Sequence, residues 1–393
     1  MQHRILSAII AAAFSIAAIA QETCTIKGHI ADTQLGDGAK VKKVTLTRTN
    51  ELGQTIEVAT AKVKKGSYTF TYKMAEGEPT LQYAITGFGE GSIAFFVEPG
   101  EVTISTAQAT QPEQSQVSGT PTNDTYAEYQ GIYTSAQAVV AEQVAALEAS
   151  HGAAWLETAE GKSAIKRIEA KEAIHTKAQV LRFLIDYNAS PMTPLVVERT
   201  LLPQLSDAYA EQITKAMSTT LHAHPYYLSL RNSMLSGALK VGNEAPNVTL
   251  PLLTGETTHL TDYLGKYVIL NFWAPGCDKS AAMLAEMKKV YEEVVKANAD
   301  QFVIISIALD SNLDAWREAV SSNDINREGW LHACDGVGAS SPAARLLKVE
   351  TTPKVLLIEP EGRAVSLNME NDEIIMRLEQ ILIGDLYYLD QKE

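Results

Sequence analysis

Residues 267–272 and 302–309 are almost wholly apolar, and a strand reads that way only when both of its faces are buried. Burial on two sides calls for a covering layer on each. The spacing supplies it. Helical periodicity runs over roughly 280–298 between the two apolar stretches and returns at 313–322, 341–347 and 372–383, while 355–358 reads as a further strand. This order predicts an α/β sheet with helices on both faces across residues 239–393.

That unit uses less than half of a 393-residue chain, so at ~150 residues per domain other cored regions must precede it. Over residues 21–119 the pattern has period two, as in Val44-Thr45-Leu46-Thr47, Ser67-Tyr68-Thr69-Phe70-Thr71-Tyr72 and Val102-Thr103-Ile104-Ser105. Turn signals at Lys65-Gly66 and Glu98-Pro99-Gly100 separate these stretches, and about seven short strands predict an antiparallel β-sandwich. Residues 120–238 change to helical spacing, with Ala-rich and Leu-rich stretches over 136–147 and 165–185 and an N-cap signal at Ser190-Pro191. Four or five packing helices are expected there. His222 and His224 stand two apart without a third ligand nearby, so no metal site is expected, and nothing in the chain calls for a cofactor.

Residues 1–20 combine Arg4, an apolar run over 5–20 and the ending Ala18-Ile19-Ala20, which reads as a cleavable secretory leader. The competing reading, a retained anchor, meets an apolar run shorter than the ~20 residues that span a bilayer. Lipidation at Cys24 is disfavoured by the bulky and charged Gln21-Glu22-Thr23 before it. The expectation is a periplasmic or otherwise exported chain with no membrane span after cleavage. Its 33 Lys plus Arg against 47 Asp plus Glu give a net charge of −14, which repels nucleic acid. Three cysteines, Cys24, Cys277 and Cys334, are an odd count, so at least one is not in an internal disulfide.

Cys277 directly follows the apolar run and opens a predicted helix, a position where the helix N-terminus favours thiolate over thiol. The segment from Tyr267 through Phe272-Trp273-Ala274-Pro275-Gly276-Cys277 resembles the thioredoxin superfamily, in particular its exported TlpA and ResA type, related to the AhpC/TSA proteins. The resemblance continues upstream in Val241-Gly242-Asn243-Glu244-Ala245-Pro246, and downstream in Val349-Glu350-Thr351-Thr352-Pro353 with Val355-Leu356-Leu357-Ile358 and Glu361-Gly362-Arg363. It implies a thioredoxin-like fold for 239–393, with Cys277 as the reacting thiol, Pro353 as a cis proline facing it, and Thr352 and Trp273 beside the substrate. A trans proline that merely punctuates a strand is the competing reading of Pro353. The partners implied are exported proteins or peptides carrying thiols or disulfides. Phe95-Phe96-Val97-Glu98-Pro99-Gly100, with Val117-Ser118-Gly119 and Asn123-Asp124, resembles a domain of unknown function that precedes thioredoxin-like domains in exported proteins.

The motif departs from the family pattern. It reads Cys277-Asp278-Lys279-Ser280, and a dithiol reductase resolves its mixed disulfide with a second cysteine at the place of Ser280. A serine hydroxyl can only offer a hydrogen bond to the sulfur. Asn271 occupies a position where thioredoxins bury an Asp that the exported relatives often lack too, Gly276 stands where an aromatic residue is common, and Asp278 and Lys279 push the thiol in opposite directions. Cys334 reads as a core thiol, with a role as distant resolver as the alternative, and His332 beside it is a candidate to tune either thiol. The peroxidase reading of Pro275-Gly276-Cys277 lacks the Thr or Ser expected at Ala274. Two readings stay open: single-cysteine thiol-disulfide exchange, or a binding protein that keeps the fold without the chemistry.

Overall fold

The computed structural model describes residues 22–50, 52–369 and 371–384, so the leader-like residues 1–20 lie outside the described residues. Two compact units divide the chain: Met1–Val44 with Thr60–Asn123, and Thr45–Ala59 with Asp124–Glu393.

The N-terminal region folds into eight strands, β1 (Thr23–Asp32), β2 (Lys43–Thr49), β3 (Thr55–Lys62), β4 (Ser67–Lys73), β5 (Leu81–Thr86), β6 (Ile93–Val97), β7 (Gly100–Gln108) and β8 (Gln116–Ser118). They form two four-stranded sheets, ordered β4-β1-β7-β8 and β3-β2-β5-β6. Period two does its expected work. Ile26, Tyr68, Phe70, Val102 and Ile104 are buried on the first sheet and Val44, Leu46, Tyr83, Ile85 and Phe95 on the second. One pair differs from the antiparallel expectation, since β1 runs parallel to β7 with Ile26 opposite Val102 and Gly28 opposite Ile104. Gly28 has a steric reason to be glycine: a Cβ there would lie 1.9 Å from Cζ of Tyr68, whose ring crosses β1 at that point.

Six helices follow, α1 (Pro121–His151), α2 (Ala153–Leu156), α3 (Ala159–Asp186), α4 (Met192–Val196), α5 (Asp207–Ala216) and α6 (Pro225–Gly237), against four or five expected. The start of α1 explains the Phe95-to-Asp124 pattern. Asn123 acts as a backbone mimic: its Oδ1 accepts from the Phe96 N–H at 2.8 Å and its Nδ2 donates to the Phe96 carbonyl at 2.8 Å. The Glu98 carboxylate accepts from both the N–H and the hydroxyl of Thr122, each at 2.7 Å. Helix start and strand β6 are thereby fastened through buried polar groups whose needs are met.

The C-terminal region contains the hairpin β9 (Thr249–Pro251) and β10 (Thr257–His259), then β11 (Tyr267–Trp273), α7 (Asp278–Val290), β12 (Phe302–Ala308), α8 (Leu313–Ser322), β13 (Trp330–Ala333), α9 (Pro342–Leu346), β14 (Lys354–Ile358), β15 (Ala364–Ser366) and α10 (Asn371–Leu382). The five-stranded sheet has the order β13-β12-β11-β14-β15. β11, β12 and β13 run parallel, and β14 returns antiparallel to β11. Every residue of β12 is buried, as its sequence requires. One face packs Ile269, Ile304 and Leu357 against Met283, Leu284 and Met287 of α7, Trp316 of α8 and Leu378 of α10; the other packs Leu270, Ile305 and Leu356 with Ala343, Ala344 and Leu347. Each large aliphatic so buried contributes about 1.5–3 kcal/mol, which makes this sheet a stiff platform for whatever stands at its strand ends.

Candidate active site

The site begins where β11 ends. Pro275 cannot extend the ladder, and Gly276 takes φ +75, a left-handed conformation that turns the chain back toward the sheet. The turn is closed by the Cys277 N–H donating to the Ala274 carbonyl at 3.3 Å. Cys277 then stands at the N-cap of α7 in an extended conformation, φ −96 and ψ 118, with its carbonyl accepting from Ala281 N–H at 2.9 Å. Its side chain is partly exposed and makes no regular cap bond.

The thiol is held below its ordinary value by the Ser280 backbone N–H and the Ser280 hydroxyl, with a smaller contribution from the Lys279 N–H. The Asp278 carboxylate and partial desolvation oppose this. The opposing charges of Asp278 and Lys279 therefore do not decide the matter; dipoles of the first helical turn do. Ser280 is fully buried, and its Oγ accepts from the Ala274 N–H at 3.1 Å. With that lone pair engaged, the hydroxyl proton is free to point at the sulfur. The Ser280 hydroxyl is thus placed where it lowers the Cys277 thiol.

The Thr352–Pro353 peptide is cis. Lys354 pairs with Phe272, so extending the register sets Pro353 opposite Trp273 and Thr352 opposite Ala274, at the strand end from which Cys277 rises. Both residues are partly exposed. Cys277, Ser280, Thr352 and Pro353 thus gather at one end of the sheet. Trp273 does not join them as a substrate contact. It is 1% exposed and packs in the core that includes Met283 and Trp316, because its place in β11 directs it beneath α7.

Cys24, Cys277 and Cys334 are all free thiols. Cys334 is buried, its Sγ donates to the Asp310 carbonyl at 3.5 Å, and burial pushes its thiol up, as burial also does for Cys24. Continuing the β12–β13 register places Cys334 beyond the Ile307–Ala333 pair, two strands from β11. His332 is buried as well: its Nε2 donates to the Ile325 carbonyl at 2.9 Å, and burial lowers it to about 4. His224 caps α6 by accepting from the Tyr226 N–H at 3.2 Å, and His222 stacks on Tyr227. Among the described residues no three His, Cys, Asp or Glu side chains gather as a metal site.

Sequence reasoning missed a polar row in the sheet behind the site. Asn271, Ser306 and His332 are register partners across β11, β12 and β13, and all are buried. Ser306 Oγ accepts from Trp330 Nε1 at 2.9 Å and from Asn271 Nδ2 at 3.3 Å. The available signal was one serine inside the otherwise apolar stretch 302–309.

Comparison with known proteins agrees with this geometry. A family model described as Thioredoxin-like matches residues 265–364, and one described as a domain of unknown function (DUF4369) matches residues 24–126. The thiol-disulfide oxidoreductase ResA of Bacillus thuringiensis subsp. konkukian is 31% identical over 144 residues, covering 37% of this chain and 78% of that protein. The chain belongs to the thioredoxin-like thiol-disulfide oxidoreductase family. The thioredoxin-like protein YneN of Bacillus subtilis is 33% identical over 73 residues, and the chain spans 41% of its length. A solved thiol-disulfide oxidoreductase from Bacteroides fragilis is 28% identical over 35% of this chain and 99% of its own, with a TM-score of 0.33. The family membership rests on the C-terminal region, the part that builds the site.

Proposed function

We propose that this protein carries out thiol-disulfide exchange through Cys277 alone, in an exported setting that the leader-like residues 1–20 support. The observation that carries the reading is the Cys277 sulfur, partly exposed, lowered by the first turn of α7 and the Ser280 hydroxyl, beside the cis Thr352–Pro353 peptide. In the first step the Cys277 thiolate attacks one sulfur of a substrate disulfide. A mixed disulfide forms, and the other substrate sulfur leaves as a thiolate. In the second step a thiol of the substrate, or a separate small thiol, attacks the substrate sulfur of the mixed disulfide and returns Cys277 as thiolate. With a thiol of the same substrate the cycle is redox-neutral and isomerises disulfides; with two equivalents of external thiol it reduces them. Ser280 serves in both steps by donating to the sulfur when it carries charge. Exported proteins or peptides with accessible disulfides are the substrates this site fits.

The test is alkylation of Cys277 across pH, read by peptide mass, alongside incubation with a disulfide-bonded peptide. The expected outcome is alkylation that persists well below the range of an ordinary thiol, and a mixed disulfide on Cys277 that Cys277→Ser abolishes. A Cys277 that reacts no faster than an unperturbed cysteine at every pH would mean that the protein keeps the fold as a binding module.

A further inference from the structure

A second site lies in the N-terminal sheets. A cleft of about 410 Å³ is lined by Thr60, Ala61 and Lys62 at the end of β3, Lys64 in the connection, and Ser67, Tyr68 and Thr69 of β4. Both bounding strands are edges: β3 ends one sheet and β4 ends the other. Each edge strand turns alternate backbone N–H and C=O groups outward with no strand to take them. The connection between them is tight, with Lys64 and Ser67 exchanging two backbone bonds of 2.9 and 3.0 Å, so the two edges diverge from a fixed point.

The charge around this cleft opposes that of the molecule. The stretches 38–44 and 60–69 carry Lys40, Lys42, Lys43, Lys62, Lys64 and Lys65 and no acid, in a chain whose net charge is −14. The two stretches touch, since the Val63 N–H donates to the Lys42 carbonyl at 2.9 Å. All six lysines are exposed, and none makes an ion pair among the described residues. Asp32 and Asp37 lie next to Lys40 but pair with none of these lysines, so the patch keeps a positive excess that an anionic ligand offsets.

We propose that this cleft binds an extended acidic peptide segment, whose backbone pairs with the β3 or β4 edge and whose carboxylates meet Lys62 and Lys64. The edges select an extended main chain and the lysines select its charge. A compact anion such as phosphate uses only the second feature.

The probe is a short blocked peptide alternating glutamate and valine, titrated by calorimetry into the chain from residue 21 onward. Saturable binding is expected, weakened at least about tenfold by the double change Lys62→Glu and Lys64→Glu, since reversing two surface contacts removes on the order of 1.4 kcal/mol or more. Both lysines are exposed, so the variant keeps the fold, and circular dichroism checks this. The same peptide with alternate amides N-methylated is expected to lose at least about tenfold, because its edge bonds are gone. The proposal falls if the acidic peptide does not saturate, if the double variant binds it unchanged, or if N-methylation has no effect, the last meaning that charge alone attracts it. Thiol chemistry at Cys277 is not involved in any of these readouts.

Discussion

Restoring the second sulfur separates a single-thiol cycle from every alternative use of the site. Ser280→Cys places a thiol at the third residue of α7, and helix geometry puts Cα atoms three residues apart at about 5 Å, inside the ~4.4–6.8 Å window of disulfides. The change has a local cost, because the Ala274 N–H loses the oxygen it reaches at 3.1 Å. A thiol is a weaker acceptor, so roughly 1 kcal/mol of stability is lost. The kinetic gain is larger. On the single-thiol cycle proposed above, a mixed disulfide on Cys277 formed during reduction waits for an outside thiol, and turnover is proportional to that thiol's concentration. In the variant the neighbouring sulfur attacks from within, at an effective concentration on the order of mM or more. With about 0.1 mM external thiol, insulin reduction followed by turbidity is expected to run at least about tenfold faster in the variant and to lose its first-order dependence on that thiol. Equal turnover of the two proteins at every thiol concentration would refute the argument, since Cys277 would then either already have a resolver or not be the reacting atom.

Three stability measurements test the frame around the site. His332 sits at about 4 when folded against an ordinary 6.5, so the unfolded chain takes up the proton first. Stability is therefore lost as pH falls from 6.5 through about 4, by about 3 kcal/mol in full, and denaturant titrations at pH 7 and pH 4 on the protein and on His332→Leu are expected to show that loss only where the imidazole is present. Asn123→Ala takes away the acceptor of the Phe96 N–H and a donor to its carbonyl, and urea midpoints are expected to report a loss of about 2–4 kcal/mol. Gly28→Ala drives a methyl to 1.9 Å from the Tyr68 ring; a loss of about 1–3 kcal/mol is expected, and adding Tyr68→Ala should make the second methyl nearly neutral in a double-mutant cycle.

What was legible in the sequence depended on whether one side of an element was distinguishable from the other. β11 and β12 were readable because burial on both faces leaves a single polar position in each, Asn271 and Ser306, and the end of β11 was readable where that apolar run gives way to Cys277. The same uniformity hid the direction of Trp273. In a strand apolar on both faces, nothing marks which face lies under a helix and which residue reaches the rim. Period two is likewise identical for parallel and antiparallel neighbours, so the parallel β1–β7 pair in the N-terminal sheet had no signal of its own. The direction of the Cys277 shift was legible from the helix start alone, whereas the opposed charges of Asp278 and Lys279 could be counted but not netted, and the contribution of the Ser280 hydroxyl exists only once α7 has formed.

Under the proposed single-thiol cycle the residues at 280 and 271 are chemically compatible. A dithiol enzyme must deprotonate its second, buried sulfur before that sulfur can attack, and a buried carboxylate close behind it provides a place for the proton. A serine at that position has no such proton to give up, since its hydroxyl acts by donating to Cys277 and is never a nucleophile toward sulfur. The base then has no function and keeps only its cost, because an ionised carboxylate at a position that is 0% exposed is strongly disfavoured. Asn271 avoids that cost. Its amide keeps a hydrogen bond to Ser306 at 3.3 Å in the polar row and stays neutral at every pH. Under the proposed single-thiol cycle, Ser280 and Asn271 fit a site without the resolving half-reaction, while Cys277 keeps the first-turn donors of α7 that lower its thiol.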